Sequence, residues 1–348
     1  MMTAADARNA ARQWVTDEAA ELPGYRGALH HGSIVSLPDS APLQPTSDVD
    51  IVVVIDGSEP GAKVGKFVYR NVLLDVSFLP WDQCQTPEVV LGTSHLAGSF
   101  ISPDIVSDPT GDLAQIQAVV SRDFAKRDWV IRRCEHAMGK IRANLESIDD
   151  AHPFHDQLMA WLFGAGVTTH VLLVAGLRNP TVRKRYVAVR ELLEDYGQTS
   201  FYEPLLDLLG CAHMTPARVE YHLTTLAAAF DASAEVVRTP LPFSSDITDI
   251  ARAIAIDGSQ ELIDQGDHRE AMFWIAATSL RCQAILHHDA PPDVRARHEH
   301  GHRELLDDLG IASASDVYRR RDEVEAFLPR LWDMTESIIV NNPGLDAH

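Results

Sequence analysis

Residues 4–21 carry an amphipathic pattern that predicts a helix ending before Pro23-Gly24. A short apolar segment, Tyr25 to His30, runs into Gly32-Ser33. Pro38, Pro42 and Pro45 then crowd together, which predicts a loop. Asp48 to Ile55 (DVDIVVVI) is strongly β-branched and predicts a buried central strand. Gly57 to Gly61 is expected to turn the chain. Lys66–Arg70 and Val72–Leu79 predict a hairpin around Asn71. Pro87, Pro103 and Pro109 punctuate the region that follows.

The pattern changes after residue 112, where apolar positions take helical periodicity to the end of the chain. The expected helices are 112–148, broken once, then 154–176, 181–196, 216–237, 246–265, 268–288, 294–309 and 315–339. Asn179-Pro180 and Met214-Thr215-Pro216 supply start signals, a capping side chain followed by a first-turn proline. No internal repeat or low-complexity segment is found. The fold class expected is therefore α+β, a small mixed sheet with helices over residues 1–120, followed by an all-α domain over 121–348. The helical domain would form the acceptor side of a cleft.

Length and composition agree with two domains. The chain has 348 residues, 45% of them hydrophobic, enough for sizeable cores and against wholesale disorder. Thirty Lys and Arg against fifty Asp and Glu give a net charge of −20. Nucleic-acid binding is driven by cations neutralising phosphates, so a chain this acidic is a poor nucleic-acid binder. It would attract cations instead. The middle third, residues 121–240, is the least acidic and the expected source of any anion-binding groups. The four cysteines, Cys84, Cys134, Cys211 and Cys282, are scattered and form no CxxC pair, which suits a reducing compartment. MMTAADARNAARQW lacks the apolar core of a signal peptide. The apolar stretch Leu158–Leu177 is broken by His170 and by Gly164, Gly166 and Gly176, and reads as a buried core helix. A soluble, cytoplasmic protein without a membrane partner is expected.

Chemistry concentrates in three aspartates. Asp48 and Asp50 sit two apart on an expected strand, so both point to one face of an otherwise apolar segment. Two carboxylates side by side at a buried sheet repel, and a hard divalent cation resolves the conflict. Asp75 interrupts the next apolar run, VLLDVSFL. If the two strands are neighbours, three carboxylates converge on a site suited to two metals and an in-line displacement. Each signal alone has a plainer reading. A single DxD is often a solvated turn, and an Asp in a strand is often salt-bridged. Their combination after Gly32-Ser33 is more specific, because glycine admits close approach and exposed N–H groups cradle phosphate.

Residues 29–55, LHHGSIVSLPDSAPLQPTSDVDIVVVI, resemble the signature of the nucleotidyltransferase superfamily, the fold shared by DNA polymerase β and the antibiotic nucleotidyltransferases. Asp75 matches the third family carboxylate, and IVSDPTGDL (105–113) resembles the stretch closing that catalytic domain. The resemblance covers roughly residues 5–120. It implies that Asp48 and Asp50 bind two Mg²⁺ ions holding the triphosphate of ATP or another NTP. It implies that Asp75 binds one ion and accepts the proton of an attacking hydroxyl, with release of pyrophosphate. Gly32 and Ser33 would contact phosphate. The loop between Ser33 and Asp48 is longer than is usual and lacks the Arg-Gly pair found in many antibiotic-modifying members.

Arg183, Lys184 and Arg185, with Arg190 further on, form a basic cluster at an expected helix start. They read as a triphosphate clamp centred on Lys184 and Arg185, or as a solvated helix face. His287, His288, His298, His300 and His302 form a His-rich stretch, read as a transition-metal site or as an exposed helix start. His30 and His31 flank the Gly-Ser pair, and Trp161, Trp274 and Trp332 are core or cleft residues. The activity expected is transfer of AMP to a hydroxyl of a small cationic, aminoglycoside-like acceptor, with a homodimer compatible. The alternatives are nucleotidylation of a protein or tRNA, and a non-catalytic nucleotide sensor.

Overall fold

Thr3 starts the first helix, α1 (Ala4–Asp17). Its hydroxyl accepts from the Asp6 N–H while the Asp6 carboxylate accepts from the Thr3 N–H, so two orphan donors are satisfied reciprocally. Ala4, Ala7, Ala10, Ala11, Trp14 and Val15 form its buried stripe. The helix ends at Asp17, and Ala19–Glu21 continues as one 3₁₀ turn.

The computed structural model describes residues 2–57, 64–101 and 104–346. The turn expected at Gly57–Gly61 therefore runs outside the described residues, as does Pro103. After α1 come strands β1 (Tyr25–His31), β2 (Val49–Ile55), β3 (Gly65–Tyr69) and β4 (Val72–Pro80). A short helix α2 (Pro87–Gly92), strand β5 (Ile105–Ser107) and helix α3 (Asp112–Asp123) follow. The sheet order is β3-β4-β2-β1-β5. β2 runs parallel to β4, and the other pairs are antiparallel. The sheet is thus mixed, with DVDIVVVI at its centre. Period-two alternation sorts β2 between two cores. Val49, Ile51 and Val53 pack under α1, while Val52 and Val54 pack with Val90, Leu91, Leu113, Ile116 and Val120 from α2 and α3.

Cα packing divides the chain into two compact units between Trp129 and Val130. The division lies inside α4 (Arg127–Glu146), not at residue 120. The reason is α3, whose Leu113, Ile116 and Val120 belong to the sheet's second core. The expected break in 112–148 falls between Asp123 and Arg127.

The second unit is helical: α5 (Phe154–Ala175), α6 (Arg185–Asp195), α7 (Tyr202–Leu209), α8 (Pro216–Val236), α9 (Gly258–Asp264), α10 (His268–Asp289), α11 (Pro292–Asp308) and α12 (Ala314–Asn341). α5 is long and apolar enough to cross a membrane, yet 78% of its most apolar window is buried inside the protein. Gly166 shows why its glycines are there: a Cβ would lie 2.3 Å from the Phe273 ring of α10. Thr215 caps α8 as expected, its hydroxyl accepting from Arg218 N–H. Three expectations need correction. Asn179-Pro180 does not open a helix, since α6 begins at Arg185. α7 was not expected. The helix expected at 246–265 is instead a series of short 3₁₀ turns, a π turn (Ala253–Asp257) and α9. Arg183 Nη1 donates to the Ile254 carbonyl at 2.9 Å, so a side chain occupies an acceptor of the helical ladder there.

Candidate metal and phosphate site

The site starts from strand register. β2 and β4 run side by side with Asp50 opposite Asp75, and β1 places His31 opposite Asp50. Directly opposed residues share a face, so Asp50, Asp75 and His31 project from the α2–α3 side of the sheet. Asp48 lies one residue before β2, whose first residue is Val49, and two before Asp50. One ligand oxygen from each of Asp48, Asp50 and Asp75 falls within 4.8 Å of the others. Among the described residues this is the one such group of His, Cys, Asp and Glu.

Lys66 completes the cluster, and sequence reading missed it. Its ammonium lies 2.5 Å from a carboxylate oxygen of both Asp48 and Asp75. The signal was present in the hairpin. Arg70 and Asn71 take positive φ values of 49° and 64°, the paired left-handed turn that joins two strands with a two-residue loop. Tyr69 then pairs with Val72, and counting outward sets Lys66 opposite Asp75. The four side chains carry three negative charges and one positive, two negative in sum. Their side chains are 8–20% exposed where Lys66, Asp75 and Asp48 pair, so solvent screens this charge only in part. The three carboxylates, an all-oxygen donor set, suit a hard divalent cation.

Gly32 explains its own identity. It has φ +68°, and a Cβ on it would lie 2.0 Å from Asp50 Oδ2. The carboxylate therefore packs directly on the glycine backbone, at a conformation that disfavours other residues. Gly32 opens a short 3₁₀ turn, Gly32–Ser36, on which Ser33 is exposed. Arg8 of α1 holds that turn. Its Nη2 donates to the carbonyls of Ile34 and Leu37 at 2.6 Å, and Nη1 pairs with Asp39. The Pro-rich loop is also pinned to the start of α1, through Ala4 N–H to Ala41 O and Leu43 N–H to Met2 O.

The two histidines before the glycine diverge by strand alternation. His31 faces the carboxylate side, its Nδ1 in a short hydrogen bond with Ser99 Oγ. Burial lowers its pKa. His30 is 2% exposed on the α1 side; neither ring nitrogen makes a hydrogen bond, and Asp104 Oδ1 lies 3.9 Å from Nδ1. Burial, with Arg8 and Arg12 adding repulsion, pulls its pKa down to about 4.

The basic cluster of the second unit does not form one face. Lys184 is exposed and immediately precedes α6. Arg185 is 1% exposed, with its guanidinium 3.7 Å from the centre of the Phe273 ring and Nε donating to Val182 O. Desolvation pulls its pKa down to about 9. Arg183 is spent on Ile254, and Arg190 pairs with Asp267 and Glu270. Of the tryptophans, Trp161 is core. Trp332 lines a groove of about 700 Å³ with Glu135, Arg142, Glu325 and Pro329. The alternating histidines of 298–302 also separate: His302 bonds Ser279 Oγ at 3.0 Å, while His300 is exposed beside Glu304.

Compared with protein-family models and with curated proteins, the chain matches none.

Proposed function

We propose that the protein is a metal-dependent nucleotidyltransferase, moving a nucleoside monophosphate from an NTP, ATP foremost, to a hydroxyl of a small cationic acceptor. The observation that carries this reading is the convergence of Asp48, Asp50 and Asp75 from adjacent strands beside Gly32. The donor set fits Mg²⁺: three carboxylates, all oxygen, two on paired strands and one immediately before β2. Bound there, Mg²⁺ would neutralise triphosphate charge and stabilise charge developing in the displacement.

The chain's own residues have separable tasks in this reading. Asp48 and Asp50 hold the cation, with Asp50 fixed against Gly32. Asp75 shares in that and accepts the proton of the attacking hydroxyl. The Gly32–Ser36 turn, braced by Arg8, offers backbone N–H groups and the Ser33 hydroxyl to phosphate. Lys66, paired with Asp48 and Asp75, is the cation of the site and would offer its ammonium to phosphate where Mg²⁺ is held by those carboxylates. Positioning and electrostatics supply most of the rate. The acceptor is proposed as cationic because the net charge of −20 attracts polycations.

The test is an acceptor screen. Protein and Mg²⁺ are mixed with each α-labelled NTP against aminoglycosides, lincosamides, total tRNA and cell lysate. Asp50→Asn and Asp75→Asn serve as blanks whose fold is checked by circular dichroism. Label on a small molecule, lost in both blanks, is expected. Label on protein or RNA alone would replace the acceptor class, and full transfer by either variant would remove the role given to that residue.

A further inference from the structure

The groove of about 700 Å³ that Trp332 lines is built by helical-unit residues alone, between α4 and α12. Glu135, Met138, Arg142 and Glu146 recur every three or four positions of α4 and so share one face. Glu325, Leu328, Pro329 and Trp332 do the same on α12. Both helices rest on α5. Cys134 Sγ of α4 meets the Val171 carbonyl at 3.6 Å, and Asn342, just past α12, donates to the Ala175 carbonyl at 2.9 Å. We infer that this groove binds an organic cation, a protonated amine carried on an apolar or aromatic body.

Charge selects the sign of the ligand. Glu135, Glu146 and Glu325 bring three negative charges against one positive from Arg142, two negative in sum. Among the described residues, none of these glutamates holds an ion pair or a side-chain hydrogen bond. Other surface glutamates do: Glu203 holds Arg269, Glu304 holds Arg218, and Glu323 holds Arg319 and Arg320. Arg142 precedes Glu146 by four residues, the less favourable order for a pair along a helix. The carboxylates are thus available to a cation from outside. An inorganic ion is not the occupant, because only Asp48, Asp50 and Asp75 bring ligand atoms together among the described residues.

The rest of the lining suits the body of such a ligand. Met138 and Leu328 form an apolar floor, 3% and 7% exposed. Trp332 is half-buried in the wall, and its Nε1 donates to Glu336 at 2.9 Å, which fixes the indole beside the groove. An indole attracts cations through its ring face. Pro329 adds a second acceptor. It lies inside α12 and has no N–H, so the Glu325 carbonyl four residues back receives no ladder bond from it. An ammonium at Glu325 therefore meets a carboxylate and a carbonyl of one residue. The volume falls within the roughly 300–1,000 Å³ of small-molecule clefts.

The experiment uses the full chain in excess Mg²⁺ and monodansylcadaverine, a fluorescent primary amine on an aromatic body. Dansyl anisotropy on direct excitation is expected to rise saturably with protein concentration. The uncharged N-acetyl derivative, with the same body, should bind about threefold or more weakly, as should the amine itself to Glu135→Gln or Glu325→Gln, the scale of an exposed ion pair. Trp332→Leu should weaken binding about fivefold through the lost ring face. Pro329→Ala returns a donor to the Glu325 carbonyl and should weaken binding about threefold. Asp50→Asn, and Glu235→Gln, which removes the same charge outside the groove, should leave it unchanged. Circular dichroism and melting temperature report that each variant folds. The inference is overturned by absence of saturable binding, by equal affinity for the N-acetyl derivative, by unchanged affinity in the Glu325, Trp332 or Pro329 variants, or by loss of binding in Asp50→Asn or Glu235→Gln.

Discussion

At the scale of single residues, Gly32 decides where Asp50 points. An added methyl would sit 2.0 Å from Asp50 Oδ2 on a backbone with φ +68°. Gly32→Ala is therefore expected to cost roughly 1 kcal/mol or more of stability. It should also weaken divalent-metal binding, because the displaced carboxylate leaves the group; Mn²⁺ titration against wild type measures this. His30, two residues earlier, does the opposite work and packs away from the site. Its pKa falls from the ordinary histidine value of 6.5 to about 4 on folding. Between those values the unfolded chain binds the proton and the native protein does not, so stability falls as pH drops through that window. The loss amounts to about 3 kcal/mol from this group. Urea unfolding at neutral and mildly acidic pH should show it, and His30→Phe should remove that share of the slope.

Elements rather than residues assemble the carboxylates. The parallel β2–β4 pairing brings Asp50 opposite Asp75, and the β3–β4 hairpin brings Lys66 opposite Asp75. Lys66→Met is expected to destabilise the metal-free protein, since it leaves three carboxylates without that ammonium. Addition of Mg²⁺ should then raise the melting temperature more in the variant than in wild type. Equal shifts in thermal melts would separate Lys66 from the site. The strands and the spacing of Asp48 and Asp50 were legible because period-two alternation and β-branched runs are local signals. Lys66 was legible in principle from the two-residue turn. β5 was not, because three residues carry no pattern, and α7 was hidden by Pro204 within it. The 246–265 segment misled because its apolar periodicity is helical, while Arg183 claims a ladder carbonyl from seventy-one residues away. The basic run at 183–185 misled for a related reason. Residue type alone does not distinguish a solvated guanidinium from one stacked on Phe273.

At the scale of the molecule, two units and a charge of −20 frame the chemistry. Long-range attraction of a cationic acceptor is screened over about 8 Å at physiological salt. KM for a cationic acceptor should accordingly rise with ionic strength, while KM for a neutral acceptor should stay level; steady-state kinetics across a salt series separates the two. The central claim concerns which phosphorus is attacked. The direct measurement supplies ATP labelled at the α or at the γ phosphorus, with Mg²⁺ and the acceptor found by screening, and follows where each label goes. The account predicts α-label on the acceptor and γ-label in pyrophosphate, with neither transfer in Asp50→Asn. Transfer of γ-label to the acceptor, or its release as inorganic phosphate, would contradict it.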